Sequence, residues 1–205
     1  MIAIIDYGMG NLRSVQKAFE YLGYECVITD DAAVIAAADH AVLPGVGAFC
    51  DAMNRLRETG LDKTVLAYAA SGKPLLGICL GMQMMFEESA ENGLYTGLGL
   101  FPGRIERLST AELKIPHMGW NTISTRECPL WDGGQELCVY FVHSYCCAEV
   151  SDDYTAATCD YDQVFTAAVC RGNVMATQFH PEKSGEVGLN MLRRFAEYKG
   201  GAKTC

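Results

Sequence analysis

The hydrophobic positions of this chain follow one rhythm over the first 80 residues and another after about residue 99. In the first part, short continuous apolar runs alternate with segments whose apolar residues recur every three or four positions. Ile2 to Ile5 is the first run. Leu12, Val15, Phe19 and Leu22 then repeat at helical spacing, with Asn11 placed to cap that helix and Gly23 to stop it. Cys26 to Ile28 predicts a second strand, the alanine-rich Ala32 to Ala38 a helix, and Ala41 to Leu43 a third strand running into the loop Pro44-Gly45-Val46-Gly47. Helical patterns around Met53 to Glu58 and Leu61 to Ala70 precede Pro74 to Ile78, an apolar strand that leads into Cys79. A further helix is expected from about Gly81 to Glu88. Strands alternating with helices mark a parallel sheet, because parallel neighbours need a crossover connection.

Beyond residue 99 the pattern breaks into short strands separated by turns: Arg104 to Leu108, Trp120 to Ser124, Leu137 to Val142, Thr155 to Cys159, Thr166 to Cys170 and Val174 to Gln178. Several of these should pair antiparallel. A last helix from about Gly185 to Lys199 places Leu189, Leu192, Phe195 and Ala196 on one side, with Ser184 as its N-cap. The expectation is one α/β domain over residues 1–205, an open, mostly parallel sheet flanked by helices with antiparallel additions.

Composition narrows the class. Half of the 205 residues are hydrophobic and 20% are charged, an ordinary globular balance rather than a disordered or fibrous one. A formal charge of −9 disfavours general nucleic-acid binding, which depends on neutralising phosphates. No apolar stretch has the roughly 18 residues of a membrane span and no basic segment precedes an apolar one, so a cytoplasmic location is expected. The ten cysteines include no C-x-x-C pair and lie within apolar runs. They read mainly as small buried hydrophobes, with neither a metal site nor a disulfide framework indicated.

One cysteine has a different context. Gly77-Ile78-Cys79-Leu80-Gly81 is a G-x-C-x-G sequence at the junction of a buried strand and a helix, the pattern of a nucleophile elbow. The glycines clear space for a strained turn, and the helix N-terminus favours a thiolate. The bland alternative is a buried cysteine in a glycine-punctuated turn. A thiol nucleophile needs a base, and of His40, His117, His143 and His180 only the last has an evident orienter. In His180-Pro181-Glu182, extended i, i+2 spacing would put imidazole and carboxylate on one side, and proline biases His180 toward that conformation. The carboxylate would hold the tautomer and support the imidazolium. His143 competes formally as base but has no neighbouring carboxylate at matching spacing. The amides of Pro44-Gly45-Val46-Gly47 and of Leu80 are candidate oxyanion donors, since both loops fall at strand carboxyl ends. Met82, Met84, Met85 and Phe86 read as packing.

Together, Gly77 to Gln83, Pro44 to Gly47 and His180-Pro181-Glu182 resemble the class I, triad-type glutamine amidotransferases, over residues 1 to about 199. Pro116 to Asn121, Tyr140 to Tyr145 and His180 to Ser184 resemble, more narrowly, the glutaminase subunits of imidazole glycerol phosphate synthases. The resemblance implies that Cys79 is the nucleophile, His180 the acid/base and Glu182 its orienter. Gln83 and the Ser144-Tyr145 backbone would hold glutamine, and Gly45, Val46 and Gly47 would form the oxyanion loop, after a peptide rearrangement when the partner is loaded. His117, Met118, Gly119, Trp120, Asn121 and Lys183 would lie at the partner interface or ammonia passage, although Trp120, read without the resemblance, suits a core anchor. The implied partner is a cyclase subunit in a heterodimer that makes imidazole glycerol phosphate and an aminoimidazole carboxamide ribotide for histidine biosynthesis, with no cofactor or metal. The glutaminase subunit of another ammonia-channelling synthase, a stand-alone cysteine hydrolase of γ-glutamyl compounds, and a non-catalytic regulatory subunit are the alternatives.

Overall fold

A computed structural model describes residues 1–147 and 150–200. Its centre is a parallel array of β1 (Ile2–Ile5), β2 (Cys26–Thr29), β3 (His40–Gly45), β4 (Leu75–Cys79) and β13 (Val174–Thr177), in the order β2-β1-β3-β4-β13. β1, β4 and β13 are buried along their whole length, as expected of strands covered on both faces, which explains their uninterrupted apolar runs. Helices α1 (Leu12–Tyr21), α2 (Ala32–Ala37), α3 (Phe49–Glu58) and α4 (Leu61–Ala70) make the crossovers. α1 turns Val15, Ala18 and Phe19 inward, and Gly23 ends it with φ +86°.

From β13 the sheet continues antiparallel through β12 (Val164–Arg171) and β10 (Tyr145–Cys147) to β7 (Phe101–Arg107), which pairs in parallel with β5 (Phe86–Ser89); β6 (Tyr95–Thr96) closes that edge. A branch runs from β12 through β11 (Thr155–Asp160) and β8 (His117–Thr125) to β9 (Glu136–His143), all antiparallel. The expected mostly parallel sheet with antiparallel additions is thus the observed one. Two apolar layers pack on it. One holds Phe19, Phe141, Phe165, Phe179 and Phe195; the other holds Phe49, Leu56, Met82, Met84, Met85 and Phe86. Among the described residues no helix is long and apolar enough to cross a membrane.

Three local expectations change. The helix after Cys79, α5, covers only Leu80–Met84, and Phe86 starts a strand. The reason is tertiary: the amides of Leu98, Leu100 and Phe101 take the carbonyls of Met84 and Met85 that a longer helix would have used. Ser184 does not cap α6 (Gly185–Glu197); its hydroxyl donates to the His180 carbonyl at 2.6 Å and accepts from the Tyr140 amide at 3.0 Å. Asn11 likewise leaves α1 uncapped and accepts from the Ser14 hydroxyl at 2.9 Å.

Candidate active site

The site gathers at the carboxyl ends of β3 and β4, where Gly45 lies directly beside Cys79 in the ladder. Cys79 has φ 57° and ψ −112°, a left-handed strain rare for a residue with a side chain, and is 7% exposed. Two glycines allow the turn to pack this tightly. A Cβ on Gly81 would strike the Leu43 carbonyl, and one on Gly45 would come 2.7 Å from the Gly81 amide. The G-x-C-x-G reading therefore corresponds to a true elbow.

β13 delivers the second component. Past Thr177 the chain runs through Gln178 and Phe179 to His180, which is extended at φ −101°, ψ 98°. Pro181–Lys183 then forms a 3₁₀ turn rather than continuing extended. The turn still brings His180 Nδ1 within 2.7 Å of Glu182 Oε1, with the two side chains 3% and 1% exposed. So the predicted pairing holds by a different backbone route. Because the carboxylate can only accept, Nδ1 carries a proton, and Nε2 is the nitrogen left to interact with Cys79. His180 Nε2 is buried without a hydrogen bond of acceptable geometry. Burial opposes charging the ring, but interactions with Cys79 and Glu182 outweigh it and raise the pKa to about 9.

Cys79 Sγ sits 3.9 Å from the Val142 carbonyl and 3.9 Å from Gln178 Nε2. Gln178 Oε1 in turn accepts from Gln83 Nε2 at 2.9 Å, and Gln83 Nε2 also donates to the Tyr145 carbonyl at 2.8 Å. With both Nε2 protons engaged, the Gln83 carboxamide has its Oε1 left for a ligand. A cavity of about 340 Å³ is lined by Val46, Gly47, Cys79, Leu80, Gln83, Glu91, Pro116, Val142, His143, Ser144, Tyr145 and His180. The predicted triad base, oxyanion and glutamine residues thus converge on one space, with Gly45 at its edge as Cys79's ladder partner. Glu91 was not anticipated. It is the only acid in that lining and is anchored by the Phe49 amide at 2.7 Å. No sequence motif marks it, since it reaches the site only through the β5–β6 hairpin. Gln178 is the last residue of a predicted strand, and nothing local marks it for the site.

The segment assigned to a partner face divides. Alternation along β8 leaves Met118 and Trp120 61% and 57% exposed, so Trp120 is not a core anchor. Trp120 meets Tyr140 edge-on at 6.1 Å, and the exposed Lys183 ammonium lies 6.0 Å from the Tyr140 ring centre. Gly119 and Asn121 are half-buried. His117, by contrast, is 3% exposed and stacks between Phe141 and Tyr161, so its side chain cannot form a surface. His143 is also buried, pairs with no carboxylate among the described residues, and is pushed down to about 3 chiefly by burial. Of the cysteines, 128, 146, 147, 159 and 170 are buried like Cys79, 26 and 50 are half-buried and Cys138 is exposed; Cys205 lies outside the described residues.

Known proteins agree with this architecture. Solved structures that share the fold include "Crystal structure of glutamine amidotransferase" (TM-score 0.75, 19% identity, covering 96% of this chain and 97% of that one) and "Structure of PurLQS from Thermotoga maritima" (0.75, 19%, 96% and 97%). At this identity they bear on fold alone. Two curated relatives are called imidazole glycerol phosphate synthase subunit HisH. That of Syntrophotalea carbinolica is 53% identical over 96% of this chain and 100% of its own length, and that of Geobacter sulfurreducens 50% identical over 97% and 99%. The family model "Glutamine amidotransferase class-I" matches residues 3–197. A strained cysteine elbow beside a buried His-Glu pair, on this sheet and with these relatives, means that the chain belongs to the class-I glutamine amidotransferase family.

Proposed function

We infer that residues 1–205 form one glutaminase domain, the subunit of an imidazole glycerol phosphate synthase that hydrolyses glutamine and passes the ammonia to a cyclase subunit in histidine biosynthesis. The observation that carries the chemistry is the buried His180–Glu182 pair, with His180 lining the same cavity as Cys79. The subunit assignment rests on the named relatives at about half identity over nearly the whole chain.

In this reading His180 holds the Cys79 proton on Nε2 as an imidazolium, and the thiolate attacks the side-chain amide carbon of glutamine. Negative charge develops on the amide oxygen. Amides of the Gly45-Val46-Gly47 loop and of Leu80 are the groups that would receive it, each such donor contributing about 3 to 4 kcal/mol. His180 returns its proton to the leaving nitrogen, the C–N bond breaks and ammonia departs. Water then adds to the glutamyl thioester, giving its proton to His180, and the C–S bond breaks to release glutamate and regenerate the thiolate beside the imidazolium. Glu182 holds the Nδ1–H throughout and supports the imidazolium. Gln83 Oε1 and the Glu91 carboxylate are acceptors suited to the amino end of glutamine, while Ser144 and Tyr145 supply the adjoining wall. The partner would dock on the exposed Met118, Trp120 and Lys183 face around Tyr140, with Gly119 and Asn121 beside it.

The test is Cys79→Ala in the assembled synthase. Glutamine-dependent synthesis should vanish, whereas added ammonia should sustain cyclase product. Failure of ammonia to rescue would mean that Cys79 serves the fold or the interface. Glutaminase activity surviving the substitution would overturn the assignment.

A further inference from the structure

His117 and His143 form a buried pair that the hydrolysis mechanism does not use. His143 Nδ1 is 3.0 Å from the Tyr145 carbonyl, His117 Nδ1 is 2.9 Å from His143 Nε2, and Asn121 Nδ2 is 3.3 Å from His117 Nε2. The carbonyl can only accept, so His143 must carry its proton on Nδ1 and accept at Nε2. His117 therefore carries its proton on Nδ1, leaving Nε2 to accept from Asn121. The Asn121 amide is oriented independently, since its Oδ1 accepts from the Thr122 amide at 2.8 Å and its Nδ2 donates to the Asp160 carbonyl at 3.1 Å. One assignment satisfies every group, with both rings neutral. The Tyr145 carbonyl at the end of this chain also accepts from Gln83, and Gln83 is clamped from its other side by Gln178, which reaches Cys79 Sγ.

We propose that His143, backed by His117, is a positioning residue for the glutamine pocket: it fixes the Tyr145 carbonyl, which with Gln178 orients the Gln83 carboxamide. The pair acts through the backbone at Tyr145 rather than on reacting atoms. Without the Nδ1 donor, Tyr145 O loses one of the two side-chain donors that hold it, and the Gln83 Oε1 direction is less well defined. Substrate binding then suffers before chemistry does, because Cys79, His180 and Glu182 keep their own contacts.

This rests on the glutaminase reading, and the experiment separates the two. The full chain, assembled with its cyclase subunit, is assayed for glutamate production as wild type, His143→Leu, His143→Asn and His117→Phe. Intact sites are counted as iodoacetamide alkylation mapped to the Cys79 peptide, since the exposed Cys138 also reacts. His143→Leu should raise KM for glutamine about tenfold with kcat per alkylatable site within about threefold. His143→Asn, whose amide N–H stands near the place of the imidazole Nδ1–H, should recover most of that loss. His117→Phe keeps the ring stack but not the donor, and should raise KM in the same direction; it carries the test alone if His143→Leu does not fold. Unchanged KM, or loss explained wholly by fewer alkylatable sites, overturns the proposal while leaving the glutaminase reading standing. If Cys79→Ala is as active as wild type, the glutaminase reading fails instead.

Discussion

At Cys79 the backbone itself sets the proposed nucleophile apart, since none of the other described cysteines has a positive φ. Burial raises the thiols of Cys146 and Cys159 to about 12, leaving them inert at neutral pH. A glutamine-like chloroketone should therefore label Cys79, and peptide mapping that found the label elsewhere would contradict this. Protonation states give a second prediction. His180, raised to about 9, keeps its proton to higher pH folded than unfolded, so its stabilisation is complete below about pH 6.5 and is lost as pH rises through 9. His117 and His143, lowered by burial to about 4 and about 3, have the opposite sign: their stabilisation is present above about pH 6.5 and is lost as pH falls toward those values. Imidazole ¹⁵N resonances should show one ring protonated into the alkaline range and two neutral through pH 5. A His180 signal titrating near 6.5 would remove the argument for a charged pair with Glu182. The proposed triad could be assembled from the sequence because each member sits in a short local motif, Cys79 between its glycines and His180 two positions from Glu182. The His117–His143 pair was not, because its members lie on different strands.

The elbow and the loop of β3 work as one element. Gly81 touches the Leu43 carbonyl and Gly45 faces the Gly81 amide, so the two strand ends approach more closely than side chains would allow. Gly81→Ala should cost about 2 kcal/mol or more in stability, since neither neighbour is a flexible side-chain end that can yield. Chemical denaturation measures this directly; a loss below about 0.5 kcal/mol would mean that the backbone relaxes freely there. Gly47, at φ +94°, keeps the half-exposed Val46 peptide free of such constraint. Helix and strand types were readable wherever periodicity was long, as in α4, whose bounds Leu61 and Ala70 match the expectation. The error at Gly81 to Glu88 has a physical cause. Local propensity favours helix through Phe86, but the amides of residues 98–101 compete for its carbonyls, and the competitor is invisible to a local window.

Across the whole molecule, the exposed Trp120, Met118 and Lys183 converge near Tyr140, whose carbonyl accepts from the His180 amide at 3.0 Å and whose amide binds Ser184. A partner seated there would press directly on the turn that carries His180. The isolated chain should accordingly hydrolyse glutamine poorly, and the cyclase subunit with its nucleotide ligand should accelerate it; equal glutamate production with and without the loaded partner would favour a stand-alone hydrolase. Trp120→Ala should weaken assembly by roughly 2 kcal/mol, as truncation of a central aromatic anchor does, read as a rise in Kd by titration. The sequence by itself determined the α/β alternation, the elbow, the His-Pro-Glu motif and the family resemblance, because each is encoded by neighbours within a few residues. Only the tertiary structure decided that Trp120 faces outward and His117 inward, that α5 stops at Met84, and that Glu91 and Gln178 join the pocket. Those outcomes depend on which distant strand supplies the facing carbonyl, ring or amide, and a chain read one window at a time contains no record of that choice.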